Sequence, residues 1–167
     1  MIRKLQKEDT LRLAEIHVFS WRTTYRKIVS DKFLFVDMTV DKSRKHFDKL
    51  VDNPNFHVYV HEEDKIIKGF IITKESTIIE IIALYVDPSM MRIGVGKKLF
   101  QYIENNIKNI SKIKLTVGLD NKNAIKFYEK MGMNLVENSI AFNDKINIHT
   151  VEYEKERTPK LLTCDLS

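Results

Sequence analysis

The chain has 167 residues, 43% of them hydrophobic and nine of them Phe, enough for one buried core and short for two, so a single domain is expected. Its 28 basic and 23 acidic residues leave a net charge of +5, spread along the chain without a basic tail; this argues against nucleic acid as a partner and suits an anionic ligand. Cys164 is the only cysteine, which excludes an intrachain disulfide framework or a cysteine metal site. No apolar run approaches the roughly 20 residues of a membrane span, so a cytoplasmic protein without a membrane partner is expected.

In chain order, Met1 to Leu5 reads as a short strand. Asp9-Thr10 then offers a cap for a helix whose apolar stripe is Leu11, Leu13, Ala14, Ile16 and Val18, with His17 among them. An aromatic group, Phe19, Trp21, Tyr25, Phe33 and Phe35, separates it from a second helix over Asp41 to Val51. Phe56 to Val60 and Ile66 to Thr73 are strands joined by the charged turn Glu62 to Lys65, an antiparallel hairpin. Thr77 to Val86 is rich in Ile, Ala, Leu and Val, as a strand buried on both faces would be. Pro88 stops it.

Leu99, Tyr102, Ile103 and Ile107 form the next helical stripe, Ile113 to Val117 a strand, and Asn121 to Met131 a short helix that Gly132 terminates. Asn134 to Ile140 and Ile146 to Tyr153 are the last strands expected. From Glu154 onward no periodicity assigns a structure, so the domain is placed at residues 1–153, with a tail at 154–167. Helices, antiparallel strands and then alternating strands and helices make a mixed α/β domain with at least one crossover.

Two segments carry chemistry. Met91-Arg92-Ile93-Gly94-Val95-Gly96 lies between a strand and a helix, where backbone N–H groups have no intrahelical acceptor and can wrap phosphate oxygens. Arg92 and Lys97 or Lys98 would add charge. The segment lacks the third glycine of a dinucleotide fingerprint and the Ser or Thr of a P-loop; a tight turn without a ligand is the alternative reading. In the second segment, Ala124, Phe127 and Tyr128 occupy adjoining helical positions. A phenol there can donate a proton to a departing anion, or simply pack at the edge of the core.

Together Ile81 to Pro88, Met91 to Gly96 and Asn121 to Met133 resemble the GCN5-related N-acetyltransferase family in motif, order and separation. The resemblance implies a single-domain acyl-coenzyme A N-acyltransferase fold: a splayed, mixed, mostly antiparallel sheet flanked by helices. It implies acetyl-coenzyme A as cofactor, its pantetheine arm along Leu84, Tyr85 and Val86 and its pyrophosphate on the N–H groups of Arg92 to Gly96. Met91 stands where the family carries Gln or Arg, which removes a polar side chain but no backbone donor. The family's helix Asn falls on Asn121, its proton-donating Tyr on Tyr128, and its final Phe is Met133.

The implied reaction is direct attack by an amine, with Tyr128 as general acid and Glu80 as a base acting directly or through water. Glu80 is equally readable as a solvated carboxylate. By strand alternation Tyr85 faces away from Leu84 and Val86 and could line the acceptor side. Trp21, Tyr25 and Phe33 fall where the family builds acceptor walls; their faces could hold a cation, or they could be core. The acceptor expected is a small-molecule amine, a polyamine such as spermidine or spermine, with a protein N-terminus or lysine as the rival and a non-catalytic acyl-coenzyme A-binding domain as a third reading. The spacing of His17, His46, His57, His61 and His149 does not suggest a metal site, and a homodimer is left open.

Overall fold

The computed structural model describes residues 1–107 and 111–157. Strand β1 (Ile2–Lys4) leads into α1 (Thr10–Thr24), a single π-helical turn at Phe33–Asp37 and α2 (Val40–Asp48). Strands β2 (His57–Glu63), β3 (Ile66–Glu75) and β4 (Ile79–Val86) follow, then α3 (Val95–Asn106), β5 (Lys112–Gly118) and α4 (Lys122–Lys130). The chain closes with β6 (Asn134–Leu135), β7 (Ala141–Asn143) and β8 (Ile148–Glu156). One sheet runs β1-β2-β3-β4-β5-β8-β6, with β7 also on β8. Among the described residues only β4 and β5 pair in parallel, joined by α3 as the crossover; this is the mixed, mostly antiparallel sheet that the family resemblance implied. Among the described residues no helix is long and apolar enough to cross a membrane.

The hairpin between β2 and β3 turns on Asp64 and Lys65, at φ 53° and 62°, the primed geometry that matches strand twist. Strand alternation divides the core. Ile71 joins Ile79, Ile81, Leu99, Phe100, Ile103 and Leu115 on the α3 and α4 side, while Phe70 and Ile72 join Leu13, Ile16, Phe47 and Val60 under α1 and α2. Phe47, Phe70 and Phe100 are almost wholly buried, each worth roughly 1.5–3 kcal/mol of transfer free energy. A smaller cluster of Tyr25, Val29, Leu34 and Ile148 joins the end of α1 to β8.

The structure departs from the sequence expectations in four places. Asp9 does not cap α1: its carboxylate pairs with Arg3 at 2.7 Å and accepts from the Gln6 N–H at 2.8 Å. Burial pushes its pKa up, but these contacts outweigh it and hold the group below its ordinary value. Helix α2 ends at Asp48 instead of Val51. The segment expected as one strand from Asn134 keeps only Asn134–Leu135, Ala141–Asn143 forms a separate strand, and β8 continues to Glu156. Finally, β4 is not buried on both faces throughout: Ile79 and Ile81 are, but Ile82 is 47% exposed. Residues 158–167, with Cys164, lie outside the described residues.

Candidate active site

The exposure of β4 follows from its pairing. Against β5 it pairs only at Ile79, Glu80 and Ile81, opposite Ile113, Lys114 and Leu115; beyond them β5 stays with β8 and the two strands part. Against β3 the ladder shifts so that Ile72 faces Ala83 and Thr73 faces Ile81, leaving Ile82 as the extra residue of a bulge. The bulge reverses side-chain parity, so Leu84 and Val86 join Ile79 and Ile81 against the α3 and α4 core, while Ala83 and Tyr85 face α1 and α2.

The free edge has a definite polarity. The Asp87 N–H donates to the Lys68 carbonyl at 2.8 Å, and narrow and wide pairs alternate in an antiparallel ladder. Tyr85, opposite Phe70, therefore turns its backbone groups to β3, and Leu84 and Val86 turn theirs into the gap. The Val86 carbonyl there accepts from the Ser20 hydroxyl at 3.2 Å.

The glycine segment stands at the head of this edge. Asp87 binds Ser89 through both its N–H and its hydroxyl, and Pro88–Met90 makes a single 3-10 turn. Arg92 at φ 66° and Gly94 at φ 88° then bring the chain round into α3 in a left-handed conformation that glycine adopts freely. No side chain caps α3, so its first N–H groups are open to an anion. The side chains of Met91, Arg92, Ile93 and Lys97 are exposed, and Val95 is buried. A Cβ on Gly96 would stand 3.4 Å from the Phe127 ring, so α3 and α4 close on each other here.

Helix α4 begins at Asn121, whose Oδ1 accepts from the Ala124 N–H at 3.2 Å and whose Nδ2 donates to the Tyr25 hydroxyl at 3.3 Å. Both ends of that amide are thus engaged within the protein. Ala124 and Phe127 pack against the α3 core. Tyr128 is 8% exposed and its hydroxyl has no hydrogen-bond partner among the described residues. Burial pushes its pKa well above the ordinary phenol value, and the nearby Tyr85 and Tyr25 phenols add to the shift.

On the α1 side the Trp21 Nε1–H donates to the Tyr85 hydroxyl at 2.7 Å, and the Trp21 ring lies 4.6 Å from Tyr25 and 5.8 Å from Phe33. Burial also pushes the Tyr85 phenol up. His17 packs edge-on to Tyr85 at 5.2 Å, with Ser43 Oγ 3.1 Å from its Nδ1. The structure thus brings Trp21, Tyr25, Phe33 and Tyr85 together and sets Asn121 beside them. Glu80 stands apart, where β4 is paired on both sides, between Lys74 and Lys114.

The five aromatic residues do not act as one group. Phe19 and Phe35 turn outward, 47% and 45% exposed, into an open cleft of about 550 Å³ that they share with Arg22, Thr23, Arg26, Asp87, Pro88 and Ser89. Composition gave no signal for this cleft, because it joins residues about 60 positions apart; the spacing of Phe19, Arg22, Thr23 and Arg26 along one helix face was its only trace.

Comparison with known proteins bears on this arrangement. The acetyltransferase (GNAT) domain model matches residues 27–156. The peptidyl-lysine N-acetyltransferase YiaC of Escherichia coli K12 is 31% identical over 96 residues, 58% of this chain; the match spans 61% of that relative's length. PaiA N-acetyltransferase from Thermoplasma acidophilum, solved in complex with coenzyme A, superimposes with a TM-score of 0.76 at 25% identity, covering 94% of this chain and 98% of that one. A variant of the spermidine N-acetyltransferase SpeG from Vibrio cholerae shares the fold, with a TM-score of 0.67 at 19% identity over 93% of this chain and 94% of that one.

Proposed function

We propose that this chain, which belongs to the GNAT acetyltransferase family and takes its acetyl group from acetyl-coenzyme A, delivers that group to the side-chain amine of a peptidyl lysine. The observation that carries the acceptor is the form of the α1 face. It opens as a cleft lined by Arg22 and Arg26, which suits an extended peptide and repels a polycation.

The cofactor fits the protein's own groups. The edge of Leu84 and Val86 offers N–H and C=O groups without a β5 partner, as an amide-bearing arm requires. The open N–H groups of the Arg92 to Gly96 turn would take the pyrophosphate, with Arg92 and Lys97 adding charge. Exposed Met91 contributes its backbone alone. Ala124 and Phe127 form the apolar wall opposite, and Asn121 fixes the start of α4 instead of reaching outward. When bound, acetyl-coenzyme A supplies an acetyl group activated as a thioester.

The remaining chemistry belongs to side chains. Tyr128, held protonated by burial, would hold a proton in reach of the leaving sulfur, and the strand N–H groups of β4 would donate to the thioester carbonyl oxygen. Glu80 lies four residues before Leu84, roughly 13 Å along an extended strand, so it takes the amine proton through water. Tyr85, with Trp21 fixing its hydroxyl, lines the acceptor side together with Tyr25 and Phe33.

A small polyamine such as spermidine is the second reading, supported by the gathered faces of Trp21, Tyr25 and Phe33. A thiol-release assay with acetyl-coenzyme A separates the two. Lysine peptides should show the higher kcat/KM; turnover of spermidine or spermine with none of lysine peptides overturns the lysine assignment.

A further inference from the structure

The cleft on the outer face of α1 has a chemistry that the acetyl transfer itself does not use. Phe19, Arg22, Thr23 and Arg26 come from α1 and the residues just after it, Phe35 from the π-helical turn, and Asp87, Pro88 and Ser89 from the segment between β4 and the glycine turn. Its floor is apolar: the Phe19 and Phe35 rings are about half exposed.

Its charge is positive and directional. The one carboxylate of the lining, Asp87, is paired with Arg12. Arg22 is anchored by the carbonyls of Leu34 at 3.0 Å and Met38 at 3.4 Å, and its guanidinium sits 5.1 Å over the Phe35 ring. Carbonyls and a ring face orient a guanidinium without cancelling its charge, and they cost it none of its remaining N–H donors. Arg26 is exposed and makes no ion pair among the described residues. One fixed and one mobile guanidinium beside two exposed phenyl rings suit a segment in which carboxylates alternate with apolar side chains.

The place of the cleft fixes what that segment belongs to. Arg22 and Arg26 each follow by one residue the rings of Trp21 and Tyr25 that line the acceptor side, and Asp87 follows directly on the β4 edge. A peptide whose lysine enters on the acceptor side, beside Tyr85, Trp21 and Tyr25, would therefore lay its neighbouring residues across this cleft. We infer that the cleft of Phe19, Arg22, Arg26 and Phe35 is a specificity subsite that selects protein acceptors carrying acidic residues beside the acetylated lysine. The inference rests on the lysine reading given above and adds the sequence context that the enzyme accepts.

Two peptides test it, with the same central lysine and either Asp and Glu or Lys and Arg on both sides of it, each assayed by thiol release with saturating acetyl-coenzyme A. The acidic peptide should have a kcat/KM higher by about fivefold, the scale of an exposed charge pair, and the advantage should shrink as salt is added. Arg26→Glu should reverse the preference and Arg26→Gln should bring it between the two; Arg26 is exposed, so both variants retain the core. Equal kcat/KM for the two peptides, or a ratio that neither variant changes, overturns the subsite and leaves the lysine reading standing. Turnover of spermidine with neither peptide turned over overturns both.

Discussion

The indole of Trp21 and the phenol of Tyr85, 64 residues apart in sequence, share a hydrogen bond of 2.7 Å, and it ties α1 to β4, which has no β5 partner beyond Ile81. Trp21→Phe keeps an aromatic ring but removes the donor, which leaves a half-buried hydroxyl without its partner. Stability should fall by roughly 1–3 kcal/mol. In a urea-denaturation double-mutant cycle with Tyr85→Phe the two changes should couple by about 1 kcal/mol; additive losses would show that the bond contributes nothing.

Tyr128→Phe removes the proposed proton donor and little volume. Turnover should drop about 10²-fold or more while the acetyl-coenzyme A Kd stays within about twofold. Because burial raises the Tyr128 pKa, the wild-type enzyme should show no alkaline loss of kcat from this group below about pH 10. An equal loss of affinity and turnover would make Tyr128 a packing residue.

Glu80→Gln tests the water-relayed base. The variant should lose about 10²-fold in kcat while the acetyl-coenzyme A Kd stays within about twofold. An unchanged kcat would exclude Glu80.

His17 gives the fold a pH dependence of predictable sign. Burial, with His46 nearby, pushes its pKa from 6.5 down to about 4, so between these values the unfolded chain binds the proton that the native one refuses. Stability is full above pH 6.5 and declines as pH falls toward 4, by up to roughly 3 kcal/mol from this group. Urea-denaturation free energies at pH 7 and 4.5 should differ less in His17→Gln than in the wild type; parallel losses would assign the effect to other groups.

Gly69 on β3 sits close against β4 and the first residue of α3. A Cβ there would lie 2.7 Å from the Tyr85 carbonyl oxygen and 2.9 Å from Val95 Cγ1, so Gly69→Ala should destabilise by roughly 1–3 kcal/mol. Since Val95 opens α3, acetyl-coenzyme A affinity should weaken as well. An unchanged denaturation midpoint would mean that the strand yields without cost.

The parts of the site legible in the sequence are those built from neighbours in the chain. The glycine turn, the start of α4 at Asn121 and the side-chain alternation of Leu84, Tyr85 and Val86 follow from local backbone chemistry and could be read directly. What escaped depends on distant partners. The run Thr77 to Val86 looks uniformly buried because its composition cannot say where β5 will leave it. Asp9 has the chemistry of a helix cap, but Arg3 and the Gln6 N–H compete for its carboxylate and win. Phe19 and Phe35 are indistinguishable from Trp21 and Phe33 until the π-helical turn sets which rings face inward, and nothing in the spacing of His17 foretells its burial against Tyr85 and Phe47.

Beyond Ile81, β4 lacks a neighbour on one side, an interior edge in a sheet otherwise paired across its middle. A ligand that fills this place acts as the absent strand, and its binding energy is added to that of folding: at a concentration 100 times its Kd it would contribute about 2.7 kcal/mol. That is a sizeable share of the margin on which a domain of this size stands. Saturating acetyl-coenzyme A should therefore raise the midpoint of urea denaturation and slow cleavage by an added protease.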